Sequence, residues 1–93
     1  MPSEIEIEYD SAKNQSNLAK HQVSLADAAD FEWATAHIEE DIRFVYPEKR
    51  FRALGFLAQR LHVLIYCLRG EKTRLISFRK ANDTEFDEYV DKT

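Results

Sequence analysis

Ninety-three residues, 44% of them hydrophobic and eleven of them aromatic, suit one globular domain over residues 1–93 and exclude a disordered chain. The single cysteine, Cys67, excludes an internal disulfide and points to a reducing compartment, the cytoplasm. Met1 to Asp10 carries four acids and no apolar core, so no secretory signal is expected. The longest apolar run, Leu61 to Leu68, falls well short of the roughly 20 residues a bilayer requires, so no membrane partner is expected.

Glu4-Ile5-Glu6-Ile7-Glu8-Tyr9 alternates acidic and apolar residues and predicts a strand with one wet face. Asp10 then caps a polar helix over Ser11 to Lys20, whose apolar residues are Ala12, Leu18 and Ala19. After a bend at His21 to Val23, Ser24-Leu25-Ala26-Asp27 resembles a capping box. It opens a second helix that turns Leu25, Ala28 and Ala29, with Phe31 at its end, towards the core. Ala34 to Ile42 is ambiguous between loop and short strand. Pro47-Glu48 marks a turn, and Arg50 to Leu57 and Leu61 to Arg69 read as a hairpin across Ala58-Gln59-Arg60. The second of these strands is apolar on both faces, which places it at the centre of a sheet. Arg69-Gly70-Glu71-Lys72 makes the next turn, Thr73 to Lys80 the next strand. Asn82-Asp83-Thr84-Glu85 is a second capping box, opening a helix with Phe86, Tyr89 and Val90. The expected fold is α+β: a strand and two helices, a three- to four-stranded antiparallel meander and a C-terminal helix, with the helices on one sheet face.

The net charge of −4 conceals an asymmetry. Residues 1–42 hold ten acids and two lysines, residues 43–80 ten Lys/Arg and two acids, and residues 81–93 five acids and one lysine. A basic centre between acidic flanks fits a local anion-binding surface, or equally a surface whose charges pair across neighbouring strands. No dinucleotide, Walker, HExxH or Gly-x-Ser-x-Gly motif occurs, and Cys67 with three scattered histidines gives no zinc spacing; neither cofactor nor metal is expected. His62 reads as a packed strand residue, Cys67 as a small buried hydrophobe, and His37 has no evident partner.

What remains is cations and hydroxyls at element ends: Lys20, His21, Arg50, Arg52, Arg69, Arg74, Arg79, Lys80 and Tyr89. RNA cleavage by 2′-hydroxyl attack needs such a set, namely a base, cations for the developing phosphorane and an acid for the leaving oxygen. A meander separates the Arg69 end from the Arg79 end, so these residues are not all expected to converge. Arg79 and Lys80 should instead lie near the Arg60 turn and the start of the last helix.

Several segments recur in a familiar order. They are Ile7-Glu8-Tyr9-Asp10, Lys13, Asn17, Lys20-His21, Val23-Ser24, Glu48-Lys49-Arg50, Gly55, Arg69-Gly70, Arg74, and Ile76-Ser77-Phe78-Arg79-Lys80-Ala81 followed by Glu85 and Tyr89. Together they resemble the BrnT family of bacterial ribonuclease toxins, which have a RelE-like fold. The resemblance implies a metal-independent endoribonuclease with Lys20, His21, Arg69, Arg79, Lys80 and Tyr89 as its catalytic set and Arg50 and Arg74 as substrate-binding residues. Arg69 and Arg79 would neutralise phosphate with help from Lys80, while Lys20, His21 or Tyr89 moves protons. It also implies an RNA substrate and a BrnA-like ribbon-helix-helix antitoxin, in a heteromeric complex that meets operator DNA only through the antitoxin. Gln22 and Pro47 stand where the family has glycines, Phe78 where it has alanine, and Lys80 where it has arginine, a change that keeps charge but loses the bidentate fork. A catalytically weak homologue that serves as an antitoxin-bound corepressor needs the same basic face and is the competing reading.

Overall fold

In the computed structural model, which describes residues 6–92, five strands form one sheet in the order β1-β5-β4-β3-β2. The strands are β1 (Ile7–Glu8), β2 (His37–Glu40), β3 (Arg50–Leu57), β4 (Arg60–Arg69) and β5 (Lys72–Lys80), with helices α1 (Ser11–His21) and α2 (Asp83–Lys92). Glu4 and Ile5 of the expected first strand lie outside the described residues.

The hairpins follow from local chemistry. Ala58 and Gln59, with φ of 49° and 67°, make the two-residue β3–β4 turn, and Gly70 at φ 60° supplies the left-handed residue of the β4–β5 turn. β4 is central, as its two-faced apolar pattern requires. The ambiguous stretch resolves into a short 3₁₀ helix, Trp33–Thr35, followed by β2, the fourth strand of the meander.

Three expectations need correction. The sheet is mixed, because β1 pairs in parallel with β5 through Ile7–Thr73 and Glu8–Arg74; alternation along a strand fixes its faces but not the direction of its partner. The second helix is a 3₁₀ helix, Leu25–Asp30. At three residues per turn Leu25, Ala28 and Phe31 stack on one side and are all buried, which leaves Ala29 exposed. Finally, the helices lie on both faces. Val23, Leu25, Ala28 and Phe31 pack on Ala53, Leu64, Tyr66, Leu75 and Phe78, whereas Tyr89 of α2 packs with Leu54, Leu61 and Val63 on the other face.

α1 is attached by polar side chains, which explains its polar composition: Ala12, Leu18 and Ala19 are all exposed. Asp10 caps it by accepting from Ala12 N at 2.8 Å. Buried Asn17 takes the place of a neighbouring strand beside β5. Its amide nitrogen donates to Phe78 O and Val23 O, both at 2.7 Å, and its oxygen accepts from Phe78 N at 3.1 Å. Asn14 Oδ1 accepts from Leu25 N at 2.8 Å and so ties the 3₁₀ helix to α1.

Opposite Ile65 and Tyr66 the β4–β5 register slips, so that Ser77 and Leu75 are their partners and Ile76 is the extra residue of a bulge. Such bulges bend a strand and re-aim its side chains. Ile76 lies where the candidate site divides into two cavities.

Candidate active site

The α2-bearing face carries the even-numbered residues of β3 and the odd-numbered residues of β4, so Arg50, Arg52, Cys67 and Arg69 share it, joined by Arg74 opposite Cys67. At the end of the sheet away from Tyr89, Lys13, Arg50, Cys67, Arg69, Arg74 and Ile76 line a cavity of about 400 Å³. A second, of about 310 Å³, adjoins it and is lined by Lys13, Ser16, Lys20, His21, Ile76 and Ser77. Lys13 and Ile76 line both, so the two cavities adjoin as a basic depression.

Among the described residues two carboxylates, Glu8 and Glu48, stand at this depression against its five cations. Glu8 alone faces three cations: Arg74 at 2.9 Å, Arg69 at 3.7 Å and Lys72 at 4.0 Å. The hydrogen bond from Arg74 holds the Glu8 carboxyl below its usual range. Arg50 lays its guanidinium 4.3 Å from the centre of the Tyr46 ring, and its buried Nε has no hydrogen-bond partner among the described residues. Half-buried His21 is held below its ordinary 6.5, first by burial and then by the charges of Arg79 and Lys20. Its imidazole is therefore neutral at neutral pH and can accept a proton. Burial pushes the Cys67 thiol up, so it stays protonated.

Arg79 and Arg52 belong to a separate ionic layer under α2. Arg79 donates to both oxygens of Glu85, at 2.8 and 2.7 Å. Arg52 donates to Glu39 at 3.0 Å and to both oxygens of Glu88 at 2.9 and 3.0 Å. Lys92 completes the layer with Glu39 at 3.2 Å and Glu88 at 3.7 Å.

The structure thus gathers Arg50, Arg69 and Arg74 at one cavity and Lys20 and His21 at the next, with Arg79 near enough to act on His21 through its charge. It sets two expected residues apart. Lys80 is exposed and stands opposite His62, on the sheet face that carries Phe78. Tyr89 is buried; its hydroxyl donates to Thr35 O at 2.8 Å and its ring meets Phe56 edge-on at 5.4 Å. Lys13, common to both cavities, is absent from the expected catalytic set. The signal for it was present, since Lys13, Asn17 and Lys20 fall on one helical face at spacings of four and three.

Among the described residues no three His, Cys, Asp or Glu side chains are gathered as a metal site requires, and no helix is long and apolar enough to cross a membrane. No curated protein matches the chain. A crystal structure of the Brucella abortus ribonuclease toxin, BrnT, is similar to it, with a TM-score of 0.68 and 25% identity over 86% of this chain and all of that one. The family profile for the ribonuclease toxin BrnT of type II toxin–antitoxin systems matches residues 9–85. That segment runs from Tyr9, ahead of α1, to Glu85 on α2 and takes in every side chain that lines the two cavities, so the chain belongs to the BrnT family of ribonuclease toxins.

Proposed function

We propose that the protein is a RelE-like, metal-independent endoribonuclease of the bacterial cytoplasm, and that the basic depression shared by α1, β3, β4 and β5 is its active site. The observation that carries this reading is the joining of five cations and one neutral histidine through Lys13. In it, His21 takes the proton of a 2′-hydroxyl as the 2′-oxygen attacks the adjacent phosphorus. Arg69, Arg74 and Arg50 hold the phosphorane oxygens through planar, permanently charged forks. Lys20 protonates the departing 5′-oxygen, so the products are a 2′,3′-cyclic phosphate and a 5′-hydroxyl. Arg79, from its place beside Glu85, adds to burial in keeping the imidazole neutral and lends charge to the phosphate. Lys80 and Tyr89 act at the margins, Lys80 on the RNA backbone and Tyr89 by holding α2.

The partner proposed is a BrnA-like ribbon-helix-helix antitoxin whose acidic segment covers the basic depression; in the complex, operator DNA is met only through the antitoxin. One observation favours the weaker reading, an antitoxin-bound corepressor without catalysis: Arg79 already spends two donors on Glu85, and a phosphate must compete with that carboxylate. Expression in a bacterial host separates the two. Growth arrest by the wild type, relieved in Arg69→Ala, supports the enzyme; harmless accumulation of folded wild-type protein supports the corepressor.

A further inference from the structure

The geometry points to a nucleobase subsite on the β2–β3 loop, where the Phe44 ring stacks on an unpaired base of the RNA whose phosphate lies in the Arg50–Arg69–Arg74 cavity. The inference rests on the ribonuclease reading above.

Three observations carry it. The loop is pre-set: Asp41, itself buried, accepts from Arg43 Nε at 2.8 Å, Arg43 Nη2 at 2.9 Å and the Tyr46 hydroxyl at 3.1 Å. A segment held this way presents its neighbours at little further ordering cost. Within that clasp Phe44 meets Tyr46 edge-on at 6.1 Å yet stays 68% exposed, so one large ring is left open to solvent beside a structured partner. Lastly, the loop has its own cavity of about 310 Å³, at the small end of the roughly 300–1,000 Å³ usual for small-ligand sites. Arg50 and Glu48 line both this cavity and the basic one.

Arg50 is thus the link, its guanidinium over Tyr46 and its Nε, without a hydrogen-bond partner among the described residues, beside the phosphate cavity. An aromatic next to an arginine repeats, on the protein, the alternation of base and phosphate in a single strand. Glu40, Glu48 and Lys49 line the loop cavity together with Ile42 and Pro47. Ile42 and Val45 of the same loop are exposed too; it is Arg50, shared with the phosphate cavity, that makes a base the occupant rather than an apolar protein segment.

The test is the binding of a short single-stranded RNA made uncleavable by 2′-O-methyl riboses, against the same backbone carrying abasic sites, with fluorescence anisotropy as readout. F44A should weaken binding of the intact strand about five- to 150-fold, the range of one base–aromatic stack, and leave the abasic strand unaffected. F44W should restore it, and R69A should weaken both strands alike. Unchanged binding of the intact strand by F44A, with R69A still weakened, overturns the subsite alone. An equal loss on both strands overturns stacking as its cause. Failure of wild type and R69A alike to bind either strand overturns the ribonuclease reading, and the subsite with it.

Discussion

Arg79 and Glu85 meet through two parallel hydrogen bonds of 2.8 and 2.7 Å, joining the end of β5 to the first turn of α2. The same carboxylate closes the helix cap: Glu85 Oε1 accepts from Asn82 N at 2.9 Å, while Asn82 Oδ1 accepts from Glu85 N at 2.8 Å. Glu85 is buried and also stands 3.8 Å from Arg52. Glu85→Gln should therefore cost about 1–3 kcal/mol, because two arginines lose a shared counter-charge. Chemical denaturation measures this, and an unchanged midpoint contradicts it. Arg79→Ala, which leaves Arg52 to face Glu85, should keep the fold and lose toxicity; full growth arrest by the folded variant would remove Arg79 from the site.

Asn17 offers a sharper test of how α1 is held. Asn17→Ala leaves Phe78 N–H, Phe78 C=O and Val23 C=O without their side-chain partner, at a cost of about 2 kcal/mol or more. Asn17→Asp should be worse than Ala. It keeps the acceptor for Phe78 N–H but sets a buried negative charge against two carbonyl oxygens. Thermal unfolding of both variants decides this, and a ranking with Asp above Ala would contradict the assigned amide orientation.

Two glycine substitutions should act in opposite directions. Gln22 ends α1 at φ 60°, ψ 28°, with its N–H donating to Leu18 O at 2.8 Å, a cap that glycine enters without strain. Gln22→Gly should stabilise by about 0.5–1 kcal/mol, the left-handed strain relieved less the added freedom of the unfolded chain. Gly55→Ala should destabilise by about 1–3 kcal/mol, since its Cβ would stand 2.6 Å from Phe31 Cζ and 3.0 Å from Ala36 Cβ. Melting temperatures moving the same way in both variants would refute one of these packing accounts.

Stability should fall as the solution is acidified. Burial holds His21 and His62 below their ordinary 6.5, so near that pH the unfolded chain binds more protons than the folded one. Stability is therefore full above 6.5 and is lost as pH falls through it. Hydrogen bonds from Arg74, Arg79 and Arg52 hold Glu8, Glu85 and Glu88 below their ordinary 4.5, which adds loss of the same sign in more acid solution. The acid limb of RNA cleavage should likewise lie below 6.5, where His21 takes up its proton, and His21→Gln should remove that limb together with most of the rate. A limb at or above 6.5 contradicts the role given to His21.

The sequence reveals what local chemistry decides. The β3–β4 and β4–β5 hairpins, the Asp10 cap and the Asn82–Glu85 box are all visible in it, as is the central place of β4. The parallel pairing of β1 is not, because Ile7 and Glu8 carry no mark of their partner's direction. The 3₁₀ helix was hidden for another reason: Leu25, Ala28 and Phe31 fit a spacing of three, yet six residues are too few to tell that period from 3.6. Membership of the BrnT family could be read from ordered fragments, whereas the grouping of the arginines could not. Convergence depends on the register slip at Ile76 and on α1 lying along β5, and both are set by tertiary packing. Tyr89 shows the converse: its motif position is plain, and only the fold reveals a hydroxyl turned to Thr35.

The central claim is that the depression joined through Lys13 cleaves RNA. Its most direct test is incubation of partner-free protein with total RNA in EDTA, with Arg69→Ala as the control, since Arg69 is exposed and its ion pair with Glu8 is long at 3.7 Å. Fragments ending in 2′,3′-cyclic phosphate from the wild type, lost in the folded variant, are the predicted result. Intact RNA from folded wild-type protein, or equal cleavage by Arg69→Ala, would contradict it.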